Sequence, residues 1–128
     1  MKRVKTFFYT ETQLQAAIVE VLKLAGFSVK HTSAFRQTGP SGVSKGIPDL
    51  LVSHRGIPLC YFGMEVKLPS GKLSPEQQQA VSAREYVVVR SPIDALDQAI
   101  EIMGSRIHET DFLIALRVQR SLRPPSKN

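Results

Sequence analysis

With 128 residues, the chain is long enough for one small domain around a single core and too short for two. Seventeen Lys and Arg against eleven Asp and Glu leave a net charge of +6 and a pI near 9.8, a balance that favours a polyanionic partner. One cysteine and three scattered histidines (His31, His54, His108) provide neither an internal disulfide nor the ligands of a zinc site, and no apolar run or signal-like start marks a membrane or secretory segment, so an intracellular, cytoplasmic protein is expected.

In chain order, Thr10-Glu11-Thr12-Gln13 has the form of a helix-capping box, in which Thr10 accepts the Gln13 amide and the Gln13 side chain reaches back. Leu14, Ile18, Val21, Leu22 and Ala25 continue it as an apolar helical stripe, and Gly26 suits the position after the helix. Residues 27–32 alternate as a strand. Residues 33–46, rich in Gly, Ser and Thr with Pro40, read as a long loop, and loops of that length in compact domains are usually functional or disordered. Residues 50–54 and 59–68 predict a second and a third strand around a hairpin signal, Arg55-Gly56-Ile57-Pro58. Within that third strand Cys60 lies in the apolar run Leu59-Cys60-Tyr61-Phe62 and is expected to be a buried small hydrophobe.

Ser74-Pro75-Glu76-Gln77 opens a second helix, with Ser as cap, Pro in the first turn and Gln three residues on. Tyr86-Val87-Val88-Val89-Arg90 is a short β-branched run suited to a buried strand. Ser91-Pro92 starts a third helix with Ala95, Leu96, Ala99, Ile100 and Met103 on one side, and residues 111–120 suit one more amphipathic helix before a polar tail. The order α-β-β-β-α-β-α predicts an α/β domain with a mixed β-sheet flanked by helices.

Chemistry concentrates at Pro48-Asp49 and, sixteen positions later, Glu65-Val66-Lys67. Two carboxylates suit a hard divalent cation, Mg²⁺ with Mn²⁺ as its substitute, which can polarise a phosphoryl oxygen and acidify a water. A lysine two residues after the Glu projects from the same face of a strand, where its ammonium can meet charge developing on a phosphate. The alternative for the triplet is a cross-strand ion-pair network on an exposed sheet face.

Counting faces sharpens the set. At about 100° per residue, Glu11 falls within the apolar stripe of the first helix and Glu20 about opposite to it. Glu11 is therefore a site candidate, although a carboxylate in a first turn also favours the helix N-terminus electrostatically. For the hairpin, a two-residue Arg55-Gly56 turn pairs Asp49 with Phe62 and leaves Glu65 on the other face. An odd loop, or a bulge near Gly63, puts the two acids together, and Gly63 leaves room there for a metal, water or phosphate. His31 and His54 are expected to be packing or surface residues. Lys2, Arg3, Lys5, Arg117, Arg120 and Arg123 are expected to be solvated termini adding nonspecific attraction.

Glu11 and Gln15, Gly46-Ile47-Pro48-Asp49-Leu50, Glu65-Val66-Lys67, Leu73-Ser74-Pro75-Glu76-Gln77 and Val87-Val88-Val89-Arg90 together resemble the PD-(D/E)XK nuclease superfamily, and within it the stand-alone VRR-NUC domains of phages and bacteria. The likeness spans about residues 10–103 of a single domain, leaving a C-terminal helix and tail over 105–128. It implies an αβββαβ core and a site in which Asp49, Glu65 and the Val66 carbonyl hold the metal, with Glu11 as an outer or second ligand. Lys67 would orient the attacking water or neutralise the transition state, and Gln77 would position Lys67 or the scissile phosphate; a capping role explains Gln77 equally well. Two departures are visible. The second helix lacks the apolar turn and Gly before the last strand, and the arginine pair after it is reduced to Arg90-Ser91.

The expected activity is that of a metal-dependent DNA endonuclease, selective for branched DNA, four-way junctions first and flaps second, acting as a homodimer. Arg36, Lys45, Lys72 and Arg90 are the candidate DNA contacts. A binding module that has lost catalysis and a restriction-like enzyme reading sequence are the rivals.

Overall fold

The structure, a computed structural model, describes Phe8 and residues 10–32 and 47–123. Helix α1 (Glu11–Leu24) starts where the Thr10 hydroxyl accepts the Gln13 amide at 3.1 Å. It ends at Ala25 and Gly26, the latter at φ +100°, which a side chain would strain. Strands β1 (Phe27–His31), β2 (Leu50–His54) and β3 (Ile57–Val66) form an antiparallel meander. Helix α2 (Pro75–Ser82) then carries the chain to β4 (Tyr86–Val89), which runs parallel to β3, so the sheet order is β1-β2-β3-β4. Helix α3 (Pro92–Met103), a 3-10 turn (Gly104–Arg106) and helix α4 (Glu109–Leu122) complete the domain. This is the expected α/β class, a mixed sheet flanked by helices around an αβββαβ core.

Register and pleat put Leu50, Val52, Met64, Val66 and Val89 on one face of the sheet. They join Leu14, Ile18 and Leu22 of α1 and Ala95, Leu96, Ala99 and Met103 of α3 in one core. α4 closes over α3 with Ala115 and Val118. The opposite face carries Gly63 and Glu65, with α2 against β4 there. One side of the sheet thus makes the core, and the other makes the site.

The hairpin departs from both registers expected from sequence. Its turn is the two-residue Arg55-Gly56, pairing His54 with Ile57. A regular ladder would next pair Val52 with Leu59, yet Val52 pairs with Phe62, a slip of three residues. The bulge sits at the hairpin end, not near Gly63, and includes Pro58, which cannot donate to a ladder. An odd slip turns every later β3 side chain to the other face, which brings the two acids together.

The same irregularity overturns the reading of Cys60. β3 outruns its partner, residues 58–61 bulge outward, and Cys60 is exposed, with Leu59 beside it 93% exposed. Gly63 is not an open approach either. A Cβ there would lie 2.7 Å from Pro48 Cγ and 2.8 Å from Tyr86 Cβ, so the glycine makes room for protein and seats the proline that precedes Asp49. Arg123 is also not a free tail residue: its Nη2 lies 2.9 and 3.0 Å from the two carboxylate oxygens of Asp97 in α3. Gln119 also donates to that carboxylate.

Candidate functional site

Asp49 stands one residue before β2, where extending the Leu50–Met64 pairing sets it opposite Glu65. Its Oδ2 accepts the Val66 amide at 2.8 Å, so a side chain takes over where the main-chain ladder stops. Its carbonyl accepts the Thr32 amide at 3.1 Å and the Thr32 hydroxyl at 3.2 Å. The same hydroxyl contacts the Pro48 carbonyl. Thr32 is buried, and it ties the Pro48-Asp49 backbone to the end of β1. Sequence reasoning missed this residue. A β-branched hydroxyl closing a strand was the only available signal, and its partner lies across a strand pairing.

Glu65 is 3% exposed. Burying a carboxylate is costly unless it is paired and hydrogen-bonded. Here Gln77 Nε2 donates to Glu65 Oε2 at 2.8 Å, and Lys67 Nζ lies 4.0 Å from the same oxygen. Gln77 simultaneously accepts the Ser74 amide through Oε1, while Ser74 Oγ accepts the Gln77 amide, completing the capping box of α2. The expected cap is present, and it fixes a side chain whose other end holds Glu65, a contact not expected from the sequence. Gln77 does so rather than contacting Lys67.

Lys67 lies one residue beyond β3, its amide donating to Val89 and its side chain 15% exposed. Its ammonium is 3.9 Å from Glu11 Oε1, so it contacts carboxylates from α1 and β3 at once. Glu11 is half-buried and faces the site; Glu20 is exposed, as the helical phase predicts. Gln15, one turn on, bonds the exposed His31 of β1 at 2.9 Å. Val66 is fully buried.

Among the described residues, no three His, Cys, Asp or Glu side chains gather closely enough to hold a metal ion together. Glu11 is joined to the pair through Lys67 instead of standing as a third acid beside it. Asp49 and Glu65 stand opposite each other across the strand pairing and are the two carboxylates that could hold a cation there. That fits Mg²⁺, which keeps several waters and takes one or two protein carboxylates plus substrate oxygens.

Of the candidate DNA contacts, Arg90 Nη1 donates to the carbonyls of Leu68, Pro69 and Gly71 at 2.7, 3.4 and 2.9 Å. It shapes the loop that follows Lys67, and Lys72 stands exposed just beyond it. Arg36 and Lys45 lie outside the described residues. His54, by contrast, is fully buried away from this set: its Nδ1 accepts the Gly56 amide at 3.0 Å, and its ring meets Phe27 edge-on.

No protein-family model, no curated protein and no solved structure matches this chain. Among the described residues no helix is long and apolar enough to cross a membrane.

Proposed function

We propose that the chain is a metal-dependent DNA endonuclease of the PD-(D/E)XK kind, close to the stand-alone VRR-NUC domains, and that it acts on branched DNA such as four-way junctions. The observation that carries this reading is the convergence of Asp49, Glu65, Lys67, Gln77 and Glu11, drawn from a strand entrance, a strand end and two helix starts. In this reading Asp49 and Glu65 hold the metal together with the Val66 carbonyl. The bound metal supplies polarisation of a phosphoryl oxygen and a more acidic water.

The chain's own residues do the rest. The Val66 amide and the Gln77 amide hold the two carboxylates in place before substrate arrives, and such preorganisation lowers the cost of reaching the transition state. The Lys67 ammonium, held by Glu11, meets the charge that grows on the phosphate. The water oxygen bonds to phosphorus and gives up a proton to solvent, the bond to the leaving sugar oxygen breaks, and that oxygen takes up a proton from solvent. One such site cuts one strand. Symmetric cutting of two strands therefore calls for a C2 dimer.

Cleavage of matched linear, flap and four-way substrates in Mg²⁺ or EDTA tests this. Metal-dependent cleavage of the four-way substrate is expected, lost in Asp49→Ala and Glu65→Ala. Both variants should bind DNA as well as or better than the parent, because carboxylate–phosphate repulsion is removed. A Glu65→Ala protein that cuts at a comparable rate sinks the site assignment. Binding without cleavage in the parent chain makes it a binding module.

A further inference from the structure

We propose that the sheet face bearing Glu65 continues into a docking platform for an unpaired DNA strand, on which Tyr61 stacks against a base and Lys30 meets a neighbouring phosphate. The inference rests on the nuclease reading and names where that site's substrate runs. Gly63 and Glu65 share one face of β3, and Tyr61 stands where the bulge rejoins the paired strand, two positions before Gly63. Lys30 pairs with Leu51, and Leu51 with Gly63, which puts Lys30 on that face too. Its Nζ stands 5.3 Å from the centre of the Tyr61 ring, within cation–π range.

α2 packs against β4 at the far side of this face, while Ser28, Lys30 and Tyr61 are exposed on the β1 side. Tyr61 is 45% exposed and Leu59, two residues further along β3, 93%. An aromatic ring left half in water, with a cation already over it, is the pairing that sequence-tolerant single-strand binding uses: a π surface for any base and a positive charge for the backbone. The net charge of +6 favours the same polyanion. Tyr61 and Glu65 are four positions apart, about 13 Å along the strand, the rise of about four stacked nucleotides. The platform thus lies within reach of unpaired nucleotides flanking the cut, which a flap presents directly and a four-way junction presents where pairs open at the branch.

A Lys30–Tyr61 pair that only shields Leu51 has the same geometry, and binding separates the two. The probe is a fluorescein-labelled single strand of twelve nucleotides, titrated into the full chain in EDTA and followed by anisotropy. Tyr61→Ala should weaken binding about 5- to 150-fold, the range of one lost base stack, and Tyr61→Phe should restore it. Lys30→Ala should weaken binding and reduce the salt dependence by somewhat less than one phosphate contact. Because the chain has no tryptophan, tyrosine emission is readable; the strand should quench it in the parent and less in Tyr61→Phe.

Unchanged affinity in Tyr61→Ala overturns the platform, and the nuclease reading stands if Glu65→Ala still abolishes cleavage. Weakened binding by Tyr61→Ala in a protein that never cleaves DNA keeps the platform and removes the nuclease. A parent chain that binds no strand overturns the platform, while cleavage of the four-way substrate in Mg²⁺ still decides the nuclease reading, and a concentration-dependent dimer lost in Leu59→Ser, with no strand bound, assigns the face to a second copy.

Discussion

Lys67 is the residue through which two distant parts of the chain meet, since its ammonium stands about equally far from Glu11 of α1 and Glu65 of β3. An ion pair near 4 Å with a partly exposed partner adds little stability, so its value lies in aiming the ammonium. Removing the Glu11 charge should therefore disturb turnover more than folding. Glu11→Gln is expected to lower cleavage by about 10- to 100-fold, the usual effect of losing a group that orients a site residue. Glu20→Gln, on the solvent side of the same helix, should cleave like the parent. Rates measured side by side on one substrate decide it, with thermal midpoints as the folding control. Equal losses in both variants would show that the helix phase carries no functional meaning.

At the scale of elements, what could be read in the sequence was whatever depends on neighbours along the chain. The Thr10 and Ser74 caps, the stripe of α1 and the β-branched run of β4 are local patterns, and each stands where expected, although the two central valines of β4 are only half-buried. What depends on pairing across strands was readable only as parity. Glu65 had to share a face with Asp49 for a site to exist, but nothing local announces a three-residue slip at the hairpin end, nor that Cys60 would ride outward with it. Pro48 filling the space over Gly63, and Thr32 holding Asp49, are likewise contacts between segments far apart in sequence.

The glycine missing before the last strand has a structural answer. α2 ends in a Schellman motif, the Glu85 amide bonding Ala80 and the Arg84 amide bonding Val81. Arg84 fills the left-handed position at φ +60°. A non-glycine residue there costs about 1–2 kcal/mol, of which glycine's extra freedom in the unfolded chain returns about half. Arg84→Gly should thus stabilise by about 0.5–1 kcal/mol and raise Tm by about 2–5 °C, while Arg84→Ala should not. A calorimetric scan of the three proteins checks this, and an unchanged midpoint in Arg84→Gly would show that the strain is relieved elsewhere.

The hairpin carries a pH-dependent element. Burial, the largest cause, holds the His54 pKa below its usual 6.5; Asp111 opposes that shift and Arg55 adds to it. The Gly56 amide needs Nδ1 as an acceptor, so the neutral ring is the one that fits. The unfolded chain therefore takes up this proton at a higher pH than the folded one. Its contribution to stability is complete above about pH 6.5 and is lost as pH falls below that value, until the folded ring also titrates. Urea unfolding at pH 7.5 and 5.5 should show a larger loss in the parent than in His54→Gln. Equal losses would place the acid sensitivity in other groups.

On the scale of the whole molecule, the sheet separates two tasks. One face is closed by α1 and α3 into the core, and among the described residues the other is covered by α2 toward β4, with the candidate site beside that covered part. If the proposed site is catalytic, one such site cuts one strand, so cutting two strands of a junction symmetrically needs a second copy. The C-terminal helix is narrower as a dimer surface than its sequence suggests. Of Phe112, Leu113, Ile114 and Leu116, only Leu113, 55% exposed, faces water, and the other three are half-buried against their own subunit. Association through α4 alone would therefore be weak, and DNA itself would have to contribute to holding two copies together. The expected result is a mass near that of a monomer in free solution and twice that mass on four-way DNA, with paired nicks placed symmetrically across the branch. Leu113→Lys should leave single nicks intact and reduce the paired ones. Light scattering with and without junction, beside nick mapping on each strand, measures both. A chain that stays monomeric on the junction and nicks one strand only would remove the dimer and leave the single site as the functional unit.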